Sequence, residues 1–126
     1  MNQKSSRDLY LRLSQSMKDD LGQVTGGNEP KTELEIVKHY CIKWNRIIVL
    51  GYKWSKKTKE DLKYSTFKNK MQYEIREETL KHGRAILKEI KSYKLKDTKA
   101  RKKQTDFIKE LEDRILFLSS RKNHVQ

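Results

Sequence analysis

Apolar residues recur at spacings of three and four in four separate stretches of the 126-residue chain, and no stretch alternates with period two long enough to argue a sheet. In the first stretch Leu9, Leu13 and Met17 lie four apart and Ser5 or Ser6 can cap the start, which predicts a short helix over about residues 6–20. "LGQVTGGNEPK" follows, holding three of the five glycines and the only proline, and reads as a loop that leaves the first helix semi-detached. After Pro30, Thr32 and Glu35 have the spacing of a reciprocal capping box. A helix from there carries Leu34, Val37, Cys41, Trp44 and Ile48 as its stripe, widened by Ile36, Tyr40 and Ile47. Its expected end is near residue 50, with Gly51 as the stop. The β-branched run "RIIVLGYKW" also reads as a strand, but a lone strand has nothing to pair with.

Ser55 or Thr58 can cap a third helix, with Glu60 and Asp61 in a first turn where the macrodipole favours anions. Tyr64, Phe67, Met71 and Ile75 form a stripe that stays in phase through Glu78, His82 and Ile86, with Leu80, Leu87 and Ile90 alongside. One helix over about 58–93 is expected, Gly83 marking a close crossing by another helix; the alternative is that Gly83 ends it. "KLKDTKARKK" breaks the pattern, and Asp97 or Thr98 can cap a last helix on which Ile108, Leu111, Ile115 and Leu118 repeat at three, four and three beside Phe107. "SSRKNHVQ" reads as a frayed tail. The fold class is all-α, a small three- or four-helix bundle with one long basic helix. The expected division is an N-terminal helix and linker over 1–30, a bundle over 31–122 and a tail over 123–126.

Composition narrows this. The apolar share is 34% and the charged share 37%, against about 25% charged in an average globular chain, so the core is thin for the length. Elongated helices with a narrow seam, or a subunit completing its core on a partner, both fit. The net charge of +13 is concentrated: residues 53–70 carry seven bases against two acids, and residues 94–103 six against one. Clustered excess charge raises the local potential that attracts polyanions, which points to nucleic acid before a membrane surface.

The single cysteine, Cys41, allows no internal disulfide and fits a reducing, intracellular compartment, nuclear if the source is eukaryotic and otherwise cytoplasmic. Apolar runs such as "IIVL" fall far short of the roughly 20 residues of a membrane span. The first twenty residues lack the apolar core of a secretory signal, and Asp8, Asp19 and Asp20 argue against a mitochondrial presequence.

Catalytic chemistry finds little support. His39 and Cys41 point about 200° apart on a helix and cannot share a metal. Glu78 and His82 share a face, yet the second copy that a carboxylate-bridged metal site needs is missing, and an ion pair is the simpler reading. "GQVTGG" lacks the lysine and hydroxyl ending of a phosphate-cradling loop. No enzyme, cofactor, metal or small-molecule substrate is expected.

The lysines carry the functional expectation. On the third helix Lys56, Lys59, Lys63 and Lys70 fall within about 60° of arc by 3.6-residue geometry, flanking the apolar stripe, and can touch successive phosphates. Lysine in place of arginine suggests backbone contact over base reading. Lys53, Lys57, Lys99, Arg101, Lys102 and Lys103 join the expected contacts, the last four in a "KARKK" patch like a nuclear-localisation run. Trp54 reads as a turn residue out of phase with Trp44, either an exposed ring able to stack on a base or a ring that folds back to close the bundle end, whereas Tyr64 and Phe67 are assigned to the apolar stripe. "LGYKWSKK" is also weighed as the turn of a helix-turn-helix, although it is long for one. The two basic blocks can meet only if the third helix breaks at Gly83. The expected function is a non-catalytic nucleic-acid-binding protein, a subunit of a chromatin or ribonucleoprotein assembly. The alternative is an adaptor docking Ile108, Leu111, Ile115 and Leu118 on partner helices, and a third reading lays residues 6–20 on an anionic membrane.

Overall fold

The structure, a computed structural model, describes residues 3–120 as four helices: α1 (Gln3–Gly22), α2 (Glu33–Asp61), α3 (Lys68–Ser92) and α4 (Thr98–Ser120), with no strand among the described residues. The expected frayed tail at 123–126 lies outside them. α2 and α3 form an antiparallel hairpin, registered by Ser55 against Gln72, Gly51 against Thr79, Trp44 against Gly83 and Tyr40 against Tyr93. α4 returns antiparallel to α3 and α1 runs antiparallel to α2, so one hydrophobic core joins all four. This is a four-helix bundle.

Thr32 begins α2 as expected, its Oγ1 accepting from the Glu35 N–H at 3.1 Å, while the Glu35 carboxylate accepts from the Thr32 hydroxyl and not from its backbone. The helix does not stop at Gly51. Val37, Tyr40, Trp44, Ile47, Gly51, Trp54 and Thr58 are all buried at spacings of three and four, one stripe with Gly51 as a member. A Cβ on Gly51 would sit 3.2 Å from Thr79 Oγ1, so the glycine lets α2 and α3 approach and terminates nothing. Ser55 and Thr58 are accordingly mid-helix: Thr58 Oγ1 donates back to the Trp54 carbonyl at 2.9 Å and Ser55 Oγ donates to Gln72 at 2.6 Å. Glu60 and Asp61 fall in the last turn of α2, with Asp61 paired to Lys57 at 3.1 Å.

The expected helix over 58–93 is thus two pieces, broken at residues 62–67, where Ser65 Oγ accepts from the Phe67 N–H at 3.0 Å. Leu62 is buried as the last member of the α2 stripe, whereas Tyr64 projects outward at 89% exposure. The helix-turn-helix reading falls with the break, because "LGYKWSKK" is helical throughout. α3 continues through Gly83. A Cβ there would meet the Trp44 ring at 2.9 and 3.0 Å and Ile115 at 3.5 Å, which is the close crossing that the in-phase glycine predicts.

Asp97 caps α4, its Oδ2 accepting from the Ala100 N–H at 2.9 Å, and the Gln104 amide donates to the Ile90 and Tyr93 carbonyls that end α3. α1 starts earlier than expected, so Ser5 and Ser6 are inside it. It is not semi-detached: Tyr10, Leu13, Met17 and Leu21 are buried, Tyr10 donates to Glu74 at 2.6 Å, and Trp54 Nε1 donates to Asp20 at 2.9 Å. Its apolar face is occupied inside the bundle and does not remain for a membrane.

Candidate nucleic-acid interface

Because α1 and α3 run parallel, their N-termini lie at the same end of the bundle, beside the turn that links α2 to α3. Tyr10 stacks on Phe67 with ring centres 5.0 Å apart, which carries Lys4 and Arg7 to the same shallow depression as Phe67 and Lys70. Lys56, Lys57 and Lys59 from the end of α2, Lys63 from the turn and Lys68 from the start of α3 complete the group. Eight bases from three stretches, 4–7, 56–63 and 68–70, meet only Glu60 and Asp61 from the same stretches.

The helix ends reinforce this sign. Neither α1 nor α3 has an acid in its first turn, and Phe67 gives α3 no side-chain cap, so the positive end of each helix dipole adds to the potential at this end. The opposite end of the bundle is built differently. There Glu33 accepts from the Lys96 and Asp97 N–H groups at 2.7 Å each and Asp97 caps α4, so carboxylates of the chain itself satisfy those backbone donors. Lys99, Arg101, Lys102 and Lys103 are exposed at that end, with Lys102 paired to Asp106 at 3.2 Å. The two basic blocks therefore do not meet. α3, 25 residues long, holds them about 37 Å apart at 1.5 Å per residue.

Several expected contacts change place. Lys56 and Lys59 sit on α2, Lys63 in the turn and Lys70 on α3, so the four do not form one row on one helix. Lys53 is exposed but lies further down α2 with Arg46, Val24 and Thr25. Trp54 is 8% exposed and bonded to Asp20, so it offers no stacking face. The ring presented to solvent is Tyr64, with the Lys63 ammonium 5.3 Å from its centre. Its exposure was legible only by following the α2 stripe through Gly51, which places Leu62 inward and Tyr64 outward. Lys4 and Arg7 were missed because the first helix read as separate.

On α4 the expected docking residues are committed to the chain's own bundle. Leu111 is fully buried, and Ile108 and Ile115 pack on the core. Leu118 is half-buried at the edge of a cleft.

No group of three or more metal-ligating side chains gathers among the described residues, and no described helix is long and apolar enough to cross a membrane. Burial pushes the half-buried Cys41 thiol up, away from thiolate formation. His82 and Glu78 do pair, Nε2 to Oε2 at 3.5 Å. Desolvation nevertheless dominates and holds the imidazole below its ordinary value near 6.5, with Lys81 and Lys43 adding to the depression and Glu78 opposing it. The unfolded chain then binds the proton more tightly. Stability contributed by neutral His82 is present above about pH 6.5 and is lost as pH falls through the folded value. Urea midpoints between pH 7.5 and 5 should therefore fall less in His82→Gln than in the parent chain, and an unchanged slope would contradict this.

Comparison with known protein families, with curated proteins and with solved structures finds no match for this chain. What the geometry defines is a compact basic four-helix bundle.

Proposed function

We propose that the protein binds nucleic acid through phosphate contacts made by the bundle end that joins the N-termini of α1 and α3 to the α2–α3 turn. The observation that carries this reading is the convergence of Lys4, Arg7, Lys56, Lys57, Lys59, Lys63, Lys68 and Lys70 on an end whose helix N-termini lack acids and whose α3 has no side-chain cap. A phosphate takes the place of the side-chain cap that α3 lacks, and lysine ammonium groups contact the backbone without reading base edges. Tyr64 supplies an exposed ring for an unpaired base. Lys99, Arg101, Lys102 and Lys103, at the far end, serve a separate segment of a long strand. No catalytic step is part of the reading, and the assembly it belongs to is a nucleoprotein one.

The test compares variants on a short single strand and a matched duplex at one salt concentration. Arg7→Gln with Lys63→Gln, Lys68→Gln and Lys70→Gln should weaken both by about 100-fold or more. Tyr64→Ala should weaken the single strand by roughly 10-fold and leave the duplex nearly unchanged, as expected when one base loses its stacking partner. Equal binding by parent and quadruple variant would sink the reading.

An adaptor role is the second reading, supported by the exposure of Leu116 (70%), Tyr52 (64%) and Val49 (51%) on α4 and α2. These, and not Ile108, Leu111 or Ile115, would meet a partner helix. It gains ground if nucleic acid fails to bind while Leu116→Glu shifts the sedimentation of the chain mixed with its partner.

A further inference from the structure

We infer that the chain bridges two separate duplex segments, one at each end of the bundle, a function that rests on the nucleic-acid reading and adds a second site to it. The second site is the turn between α3 and α4 together with the first two turns of α4. Lys94, Lys96, Lys99, Arg101, Lys102 and Lys103 are all exposed there, and among the described residues only Lys102 of the six has an ion-pair partner, Asp106. Glu33 and Asp97 occupy backbone donors at this end, so side-chain cations make its phosphate contacts. Contacts of that kind position a duplex without reading its sequence.

The charge changes sign between the two ends. Residues 94–103 hold six bases against one acid, yet residues 107–116, further along α4, hold three acids against two bases. In the middle of α3, residues 71–80 hold three acids against one base, and residues 13–22 of α1 hold two against one. Only α2 crosses the middle without an acid. Its outward face presents Ile42, Val49 and Tyr52 to solvent there, and Arg46 donates to the Thr25 carbonyl at 3.0 Å. A duplex lying lengthwise on the bundle therefore gains few contacts between the ends and meets charge of its own sign on three of the four helices. Nor does one duplex wrap from end to end. Its stiffness persists over about 150 base pairs, whereas α3 sets the ends about 37 Å apart, so recruiting a second segment is far less costly than folding the first one back. The sites are unequal: the end shared by α1 and α3 has more bases and an uncapped α3, so it fills first and the far end captures the second segment.

A capture assay on the full chain tests this at one salt concentration. One duplex is immobilised, protein is added at no more than one chain per duplex, and retention of a second, fluorescent duplex is measured, while anisotropy with a single duplex reports binding alone. The parent should retain the second duplex. The Lys99→Gln, Arg101→Gln, Lys102→Gln, Lys103→Gln variant should retain at least about 5-fold less, with its affinity for a single duplex within about 2-fold of the parent's. A charge-matched variant, Lys18→Gln, Lys53→Gln, Lys81→Gln, Lys109→Gln, removes one exposed lysine from the side of each helix and should capture within about 2-fold of the parent. Single-duplex binding by the parent without capture of the second would overturn the bridging inference and leave the reading of the α1–α3 end standing. Capture undiminished by the far-end substitutions, as two chains paired back to back would give, or lost equally in the charge-matched variant, would overturn it too. Absence of single-duplex binding would remove both the inference and the reading beneath it.

Discussion

Gly83→Val should destabilise the bundle by about 3 kcal/mol, the upper part of the usual range for overpacking a filled core. The first added atom already stands 2.9 and 3.0 Å from the Trp44 ring and 3.5 Å from Ile115, and valine adds two methyl groups in the same space. Trp44 is 4% exposed, so its ring has nowhere to retreat without moving α2. A glycine inside a helix is itself unfavourable by about 1 kcal/mol relative to alanine, and valine recovers part of that, which sets the result below the pure steric figure. In urea denaturation the midpoint should fall with little change in slope. A double-mutant cycle sharpens the test: Trp44→Phe should cost less in the Gly83→Val background than alone, by more than about 0.5 kcal/mol, because the smaller ring yields the contested space. Additive losses would mean that the crossing at Gly83 is not where the strain lies.

Met17→Asp should have an effect at least as large, on the order of 4 kcal/mol, which leaves a protein at the lower limit of ordinary stability, about 5 kcal/mol, only marginally folded. Met17 is fully buried among Tyr10, Leu13 and Leu21, and a carboxylate there has no cation to pair with inside the core. Leu11→Asp on the same helix is the control. Leu11 is 51% exposed, and surface substitutions of that kind stay within about 0.5 kcal/mol. If α1 were a detachable arm the two substitutions would behave alike. Circular dichroism and urea midpoints of the pair decide between an integral and a separable first helix.

The contrast between these residues also explains what the sequence disclosed. Local chemistry was legible: Thr32 and Asp97 are caps because their side-chain oxygens satisfy backbone donors three residues on, and Trp44 lies on a stripe too apolar for solvent. Gly83 was legible because a glycine in phase with a stripe implies a close neighbour. The same logic applied to Gly51 and was not followed. Reading Gly51 as a terminator removed Trp54 and Thr58 from their stripe, turned Thr58 from a helix-interior residue bonded to Trp54 into a cap, and made Trp54 look exposed.

The candidate site was legible as a lysine-rich segment but not as a surface. Tyr64 falls three residues before Phe67, in step with Met71 and Ile75, only by coincidence, since a turn intervenes and resets the helical phase. Lys4 and Arg7 reach the site through the Tyr10–Phe67 stack, a contact between residues 57 positions apart that no local pattern encodes. The silence of Glu33 in the sequence is similar. Its carboxylate bonds to backbone N–H groups more than 60 residues away, and only the fold reveals that the second basic block has its helix ends already occupied.

The salt dependence of nucleic-acid binding tests the central proposal most directly. The parent chain, the Arg7→Gln, Lys63→Gln, Lys68→Gln, Lys70→Gln variant and a Lys99→Gln, Arg101→Gln, Lys102→Gln, Lys103→Gln variant should be titrated against a short duplex over a range of salt. Log K should fall against log salt with a slope of about −5 for the parent, corresponding to five or six displaced counterions. The first variant should flatten that slope by about 3, and the second should leave it nearly unchanged on an oligonucleotide too short to reach both ends. Flat or absent binding by the parent at physiological salt, or a slope that responds to the second set of substitutions and not to the first, would contradict the assignment of the interface to the end shared by α1 and α3.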